Sequence, residues 1–120
     1  MMPLAALEFA GGEAAPVAIV SGQIDLSNAE ALSDAMMETV SNASLGLVID
    51  LSALDYMDSA GVNMLAELDQ RLRWGEQRLA VVAPPGSRPR EVLDLAGTDG
   101  LLSIDETREA ALRRVGERSP

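Results

Sequence analysis

Hydrophobic and polar positions follow two periods along this chain, and the period switches at regular intervals. Residues 4–9 (LAALEF) form a short apolar run suited to a strand, followed by the turn-rich AGGEAAP. Residues 16–24 (PVAIVSGQI) are rich in β-branched side chains and predict a second strand, close enough to the first to pair as a hairpin. From Ser27 the period lengthens. Leu32, Met36, Thr39 and Val40 recur at helical spacing. SNAE, residues 27–30, has the Ser-x-x-Glu form and predicts a capping box between Ser27 and Glu30. SNASLG ends that helix.

Residues 45–51 (LGLVIDL) are almost continuously apolar, as expected of a central strand covered on both faces. Val62, Leu65, Leu68 and Leu72 give a buried stripe to a helix over roughly 60–74. RLAVVA, residues 78–83, reads as the next strand, stopped by Pro84 and Pro85. PREVLDLAG then predicts a helix with Pro89 in its first turn and Gly97 at its C-terminal cap. LLSID, residues 101–105, is a short strand. ETREAALRRV is a last helix, with Glu early and Arg113 and Arg114 late, which complements the helix dipole.

The predicted order is β-β-α-β-α-β-α-β-α. Alternating strands and helices predict an α/β fold: a mostly parallel sheet with an antiparallel edge strand and about four helices. There is no internal repeat and no low-complexity linker. Residues 1–115 are expected to form a single domain, and 116–120 (GERSP) a frayed tail.

Composition narrows the chemistry. The chain has 120 residues and is 48% hydrophobic but only 2% aromatic, so its core must be Leu, Val, Ile, Ala and Met. It contains no cysteine, histidine or lysine, and all nine cations are arginine. Disulfides, thiolate chemistry and thiolate metal sites are excluded, and a reducing compartment fits. The net charge of −10 lacks the basic footprint of a duplex nucleic-acid binder and disfavours anionic lipid. It suits steering toward a basic partner patch, or solubility alone. The N-terminus has no positive n-region, and no apolar run approaches the ~18 residues of a membrane helix. A cytoplasmic monomer is the expectation.

The stretch DYMDSAGVNML, residues 55–65, places Ser59 between Asp58 and the start of a helix. A serine nucleophile needs a base, usually His or Lys, and the chain has neither. Met57 stands where a nucleophile elbow needs glycine. A phosphoaspartate site built on Asp50 would need a lysine that is absent. Asp50, Asp55 and Asp58 have the oxygen chemistry for Mg²⁺, but a solvated acidic loop with a helix cap explains them more simply. No phosphate-cradling glycine motif is present. Asp58 or Ser59 suits an N-cap, worth about 1 kcal/mol. A helix N-terminus also tolerates a phosphate, which would bring about two negative charges. The position therefore suits a binding switch that leaves the backbone in place.

LVIDLSALDYMDSAGVNMLAEL, residues 47–68, resembles the signature of the STAS domains, and among them the anti-sigma factor antagonists of bacterial partner switching. SGQIDLSNAEAL, residues 21–32, is similar to the family's Gly-Glu-(Leu/Ile)-Asp segment, and DLAGTDGLLSI to its last helix–strand connection. The resemblance implies an antagonist that, unphosphorylated, binds an anti-sigma factor with serine kinase activity and frees the sigma factor. The kinase phosphorylates the antagonist and abolishes binding; a serine phosphatase restores it. By this resemblance Ser59 is the phosphoacceptor, Asp25 and Asp58 flank it, and Gly22 and Gly61 permit close approach of the kinase. Gln23 stands where the family usually has Glu, and Ala60 where a second Ser is common. ATP and Mg²⁺ belong to the kinase, so this chain needs no cofactor of its own. The alternative within the family is a scaffold or transporter-associated subunit without a phosphoswitch.

Overall fold

The computed structural model describes residues 5–11, 14–98 and 100–116. Six strands form one sheet: β1 (Ala5–Ala10), β2 (Val17–Ile24), β3 (Gly46–Asp50), β4 (Leu54–Met57), β5 (Arg78–Val82) and β6 (Ile104–Asp105). Four helices accompany them: α1 (Ala29–Glu38), α2 (Ser59–Trp74), α3 (Arg88–Leu95) and α4 (Arg108–Gly116). The strand order is β1-β2-β3-β5-β6, with β4 joined to β2. β1 pairs antiparallel with β2, and the other pairings are parallel. This is the α/β fold with an antiparallel edge strand that the periodicity predicts.

β4 is an addition to the predicted order. β3 pairs with Val17–Ile19 of β2, and β4 with Gly22–Ile24. The two therefore lie end to end along the same side of β2, separated by a turn in which Leu54 donates to the Leu51 carbonyl at 3.1 Å. Only Leu54 and Met57 of β4 are buried. Their spacing of three breaks the alternation that announces a strand, because the register slips between Gly22 and Gln23.

The core has two layers. Val20, Ile24, Leu47, Ile49, Leu79 and Val81 meet Leu32, Met36, Leu65, Leu68, Leu72 and Leu93 from α1, α2 and α3 on one face of the sheet. Val17, Val48, Ala80 and Val82 meet Ala111 and Val115 of α4 on the other. The stripe read on the second helix is buried as expected, with Val62 only partly so. In α3, Pro89 sits in the first turn, Ser87 caps the start by accepting from Arg90 N, and Gly97 follows the end at φ +71°.

The strand expected over 101–105 narrows to Ile104–Asp105, and two further expectations need correction. α1 begins at Ala29, and Ser27 does not cap it. The Ser27 hydroxyl and amide both donate to Asp25 Oδ1, so the serine is captured from upstream and the predicted capping box does not form. The assigned tail begins one residue early, since Gly116 belongs to α4. Residues 117–120 lie outside the described residues.

α4 is fastened by two ion pairs as well as by its small apolar face. Arg108 donates twice to Asp50 Oδ2, at 2.9 and 3.2 Å, and Arg114 grips both oxygens of Asp105 at 2.9 Å. Asp50 is 3% exposed. Burial pushes its carboxyl up, but the Ser52 hydroxyl and amide and the Arg108 guanidinium outweigh that and hold it below the ordinary carboxylate value.

A carboxyl so depressed stabilises the fold fully above its unfolded value of about 3.9, and that contribution disappears as pH falls through the depressed value. Arg108→Ala removes two of the lowering causes, so Asp50 should protonate at higher pH. The acid-unfolding midpoint, followed by circular dichroism, is expected to move upward. Gly46 is fixed by close approach: a Cβ there would lie 1.9 Å from the Arg78 carbonyl oxygen across the β3–β5 ladder. Gly46→Ala is expected to cost about 1–3 kcal/mol or more in urea unfolding. Gly11→Ala, where nothing lies within 4 Å, should serve as the neutral comparison.

Candidate functional site

Parallel pairing of β2 with β4 sets the site. Ile24 is the register partner of Met57, and the chain leaves both strands at the next residue. Asp25 and Asp58 therefore emerge side by side from the same end of the sheet. The Asp58 amide donates to the Ile24 carbonyl at 3.4 Å and ties the two exits together.

On the β4 side, Asp58 is the N-cap of α2. Its backbone is extended and its Oδ1 accepts from Ala60 N at 2.9 Å. The cap is thus Asp58 and not Ser59. Ser59 is the first helical residue and is exposed. Its hydroxyl stands at the positive end of a 16-residue helix, the longest among the described elements. Gly61 lies underneath and is buried. A Cβ there would lie 2.2 Å from Met57 Cγ, so the packing of α2 on β4 alone accounts for the glycine. The close approach that requires it is internal.

On the β2 side, Gly22 has φ +89° where the register slips, a conformation that disfavours any side chain. Gln23 follows, exposed, as the register partner of Tyr56. Asp25 then organises the loop. It accepts from the Ser27 hydroxyl and, at 2.8 Å, from the Ser27 amide. The Ser27 hydroxyl, then its amide, hold the Asp25 carboxyl below its ordinary value against a small opposing desolvation, so it stays charged.

Asn28 is the residue that sequence reasoning missed. Its Oδ1 accepts from Asp25 N at 3.0 Å, and its Nδ2 donates to the Gln23 carbonyl at 2.9 Å. It clamps the segment carrying two candidate contact residues. An Asn three residues after an Asp, beside a serine, is an available turn signal, but the capping-box reading absorbed it. Leu26, also missed, is 86% exposed at the tip of this loop.

The structure thus gathers Gly22, Gln23, Asp25, Asp58, Ser59 and Gly61 at one end of the sheet. Residues 21–28 and 52–62 carry Asp25, Asp55 and Asp58 and no arginine. Asp50 stands apart from this group in function, since both its oxygens are taken by Ser52 and Arg108. Among the described residues no cluster of three or more His, Cys, Asp or Glu is arranged to hold a metal ion. No helix among them is long and apolar enough to cross a membrane.

The family model described as "Mlab, STAS domain" matches residues 8–103. The anti-sigma-F factor antagonist RsfB of Mycobacterium tuberculosis is 34% identical over 96 residues, covering 80% of this chain and 77% of that protein. A crystal structure of an anti-sigma factor antagonist from Mycobacterium paratuberculosis superposes with a TM-score of 0.83 at 32% identity, over 94% of this chain and 95% of that one. The phosphorylated form of the Bacillus cell fate determinant SpoIIAA superposes at 0.66 and 20% identity, over 92% and 99%, a likeness of fold alone. With its sequence matched over most of its length and its sheet built the same way, the chain belongs to the STAS domain family and is similar within it to anti-sigma factor antagonists.

Proposed function

We propose that this protein is an anti-sigma factor antagonist that works by partner switching. In the unphosphorylated form it binds an anti-sigma factor with serine kinase activity and so releases a sigma factor. Phosphorylation of Ser59 ends the binding, and a serine phosphatase restores it. The observation that carries this reading is the placement of Ser59: exposed, at the first position of α2, with capping already supplied by Asp58. Its hydroxyl is not needed to hold the helix.

The physics of the switch follows from that placement. The N-terminus of α2 accommodates a phosphate without unwinding. Gly61, buried against Met57, keeps the first turn fixed on β4. The modification therefore changes charge and size at the surface and leaves the fold intact. A partner fitted to a small hydroxyl there must accept a bulkier group and desolvate about two negative charges. Asp25 and Asp58 offer that phosphate no compensation. The net charge of −10 acts separately, at long range, by steering the whole domain toward a basic rim on the partner. On this reading Asp25, Asp58, Gln23 and Gly22 shape the docking surface, Gly61 seats the helix beneath it, and the protein is a cytoplasmic, non-enzymatic monomer built as one domain.

The switch is tested by titrating the cognate anti-sigma factor. Ser59→Ala should bind as tightly as the wild type and resist the kinase. Ser59→Asp should bind at least about tenfold more weakly, the scale of one lost interface hot spot. Equal affinity for all three proteins would remove the switch and leave the scaffold reading. Asn28→Ala should uncouple loop order from fold: affinity falls several-fold, while unfolding stability drops by only about 1–3 kcal/mol, the scale of its two hydrogen bonds.

A further inference from the structure

The helices cover the sheet unevenly. α1, α2 and α3 roof one face, whereas α4 on the other face lies over β3, β5 and β6. β4 and β1 lie beyond α4 on that side. In β2 the side chains of Val17, Ile19, Ser21 and Gln23 point to this second face, since alternate residues share a side. Gln23 and Tyr56 are register partners on parallel strands, so their side chains stand together there. Leu54 and Met57 of β4 point into the core on the opposite face.

Tyr56 is 42% exposed and is one of three aromatic residues in the chain. On the same half-face Ala6 pairs with Ser21 and Glu8 with Ile19. Tyr56 also stands three residues before Ser59, and Gln23 two before Asp25. The half-face is continuous with the phosphorylation end of the sheet. Leu26, 86% exposed, projects from the adjoining loop.

We infer that partner docking extends from Ser59 around the end of the sheet onto this half-face, over which no helix packs among the described residues, with Tyr56 as its anchor and Gln23 and Leu26 as flanking contacts. The inference rests on the antagonist reading and names the rest of its surface. The occupant is the anti-sigma factor, through an apolar slot for the tyrosine ring and the leucine and a polar group for the Gln23 amide. Tyrosine is suited to this role: it offers a large rigid contact with a polar tip and loses little side-chain freedom. The division of labour is specific. Ser59 decides whether the partner binds, and the half-face decides which partner binds.

The experiment is a titration of the purified cognate anti-sigma factor against wild type, Ser59→Asp, Tyr56→Ala, Tyr56→Phe and Leu26→Ala, with circular dichroism as the check on folding. Tyr56→Ala should weaken binding about tenfold to thirtyfold, and Tyr56→Phe should retain most of the affinity. Trp74→Ala, 78% exposed at the far end of α2 and about 20 Å from Ser59 along the helix, should bind like the wild type. If Ser59→Asp loses binding while Tyr56→Ala and Leu26→Ala keep it, the switch stands and the half-face is overturned. If Ser59→Asp binds like the wild type, the switch fails, and a loss confined to Tyr56→Ala still places the anchor on this face. Sedimentation of the same proteins covers the other occupant. A wild-type dimer that Tyr56→Ala dissociates, with partner affinity unchanged, would assign the face to a second copy of the chain and overturn the proposal.

Discussion

One eight-residue strand must serve two partners on one side, and most of the architecture follows from that constraint. β2 gives its first half to β3 and its second half to β4. The break after Asp50 turns the chain, and β4 resumes along β2 with a slipped register. Gly22 absorbs the slip with a left-handed backbone. Asp25 and Ser59, far apart in sequence, come to the same end of the sheet through this second pairing. Gly61 then seats α2 against Met57, so the helix inherits its position from the same short strand.

The opposite face is held by different means. α4 contributes only Ala111, Val115 and part of Leu112 to its core. That is little apolar area for a helix, and the two arginine–aspartate pairs add directional contacts that fix its position. Asp50 and Asp105 are buried at 3% and 8% exposure, while the side chains of Arg108 and Arg114 remain about 43% and 44% exposed. The acids are fixed and the bases reach in from solvent. Such pairs specify where a helix sits more surely than they stabilise it. Asp50 and Asp105 thus seat α4, whereas Asp25 and Asp58 serve the loop and the helix cap beside Ser59.

Long periodic elements were legible in the sequence because each has one buried face and a clear period. The stripe of α2 and the apolar run of β3 are examples. β4 was not legible, since four residues with two buried positions three apart match neither period. The start of α1 was misread for a chemical reason. Ser27 and Glu30 have the right spacing for a capping box, but Asp25 competes for the serine and wins with a charged acceptor two residues away. The same competition hid Asn28, whose partners Asp25 and Gln23 lie upstream. Local motifs fix which groups can bond; only the fold fixes which of them do. The gathering of Asp25, Asp58 and Ser59 followed from a resemblance at the sequence level, and the register of β2 with β4 gives its physical cause.

The serine at the head of α2 has carboxylates for neighbours and no stronger base. No histidine, lysine or cysteine occurs anywhere in the chain, and the nearest acids are committed, Asp58 to the helix cap and Asp25 to Ser27. A phosphate monoester is among the slowest bonds to hydrolyse in water. On the proposed reading, a mark placed on Ser59 would have no internal clock. It would persist after the signal that wrote it had gone, for as long as no enzyme erased it. The domain would then act as a memory element rather than a timer, and its duration would be set wholly by the enzymes around it.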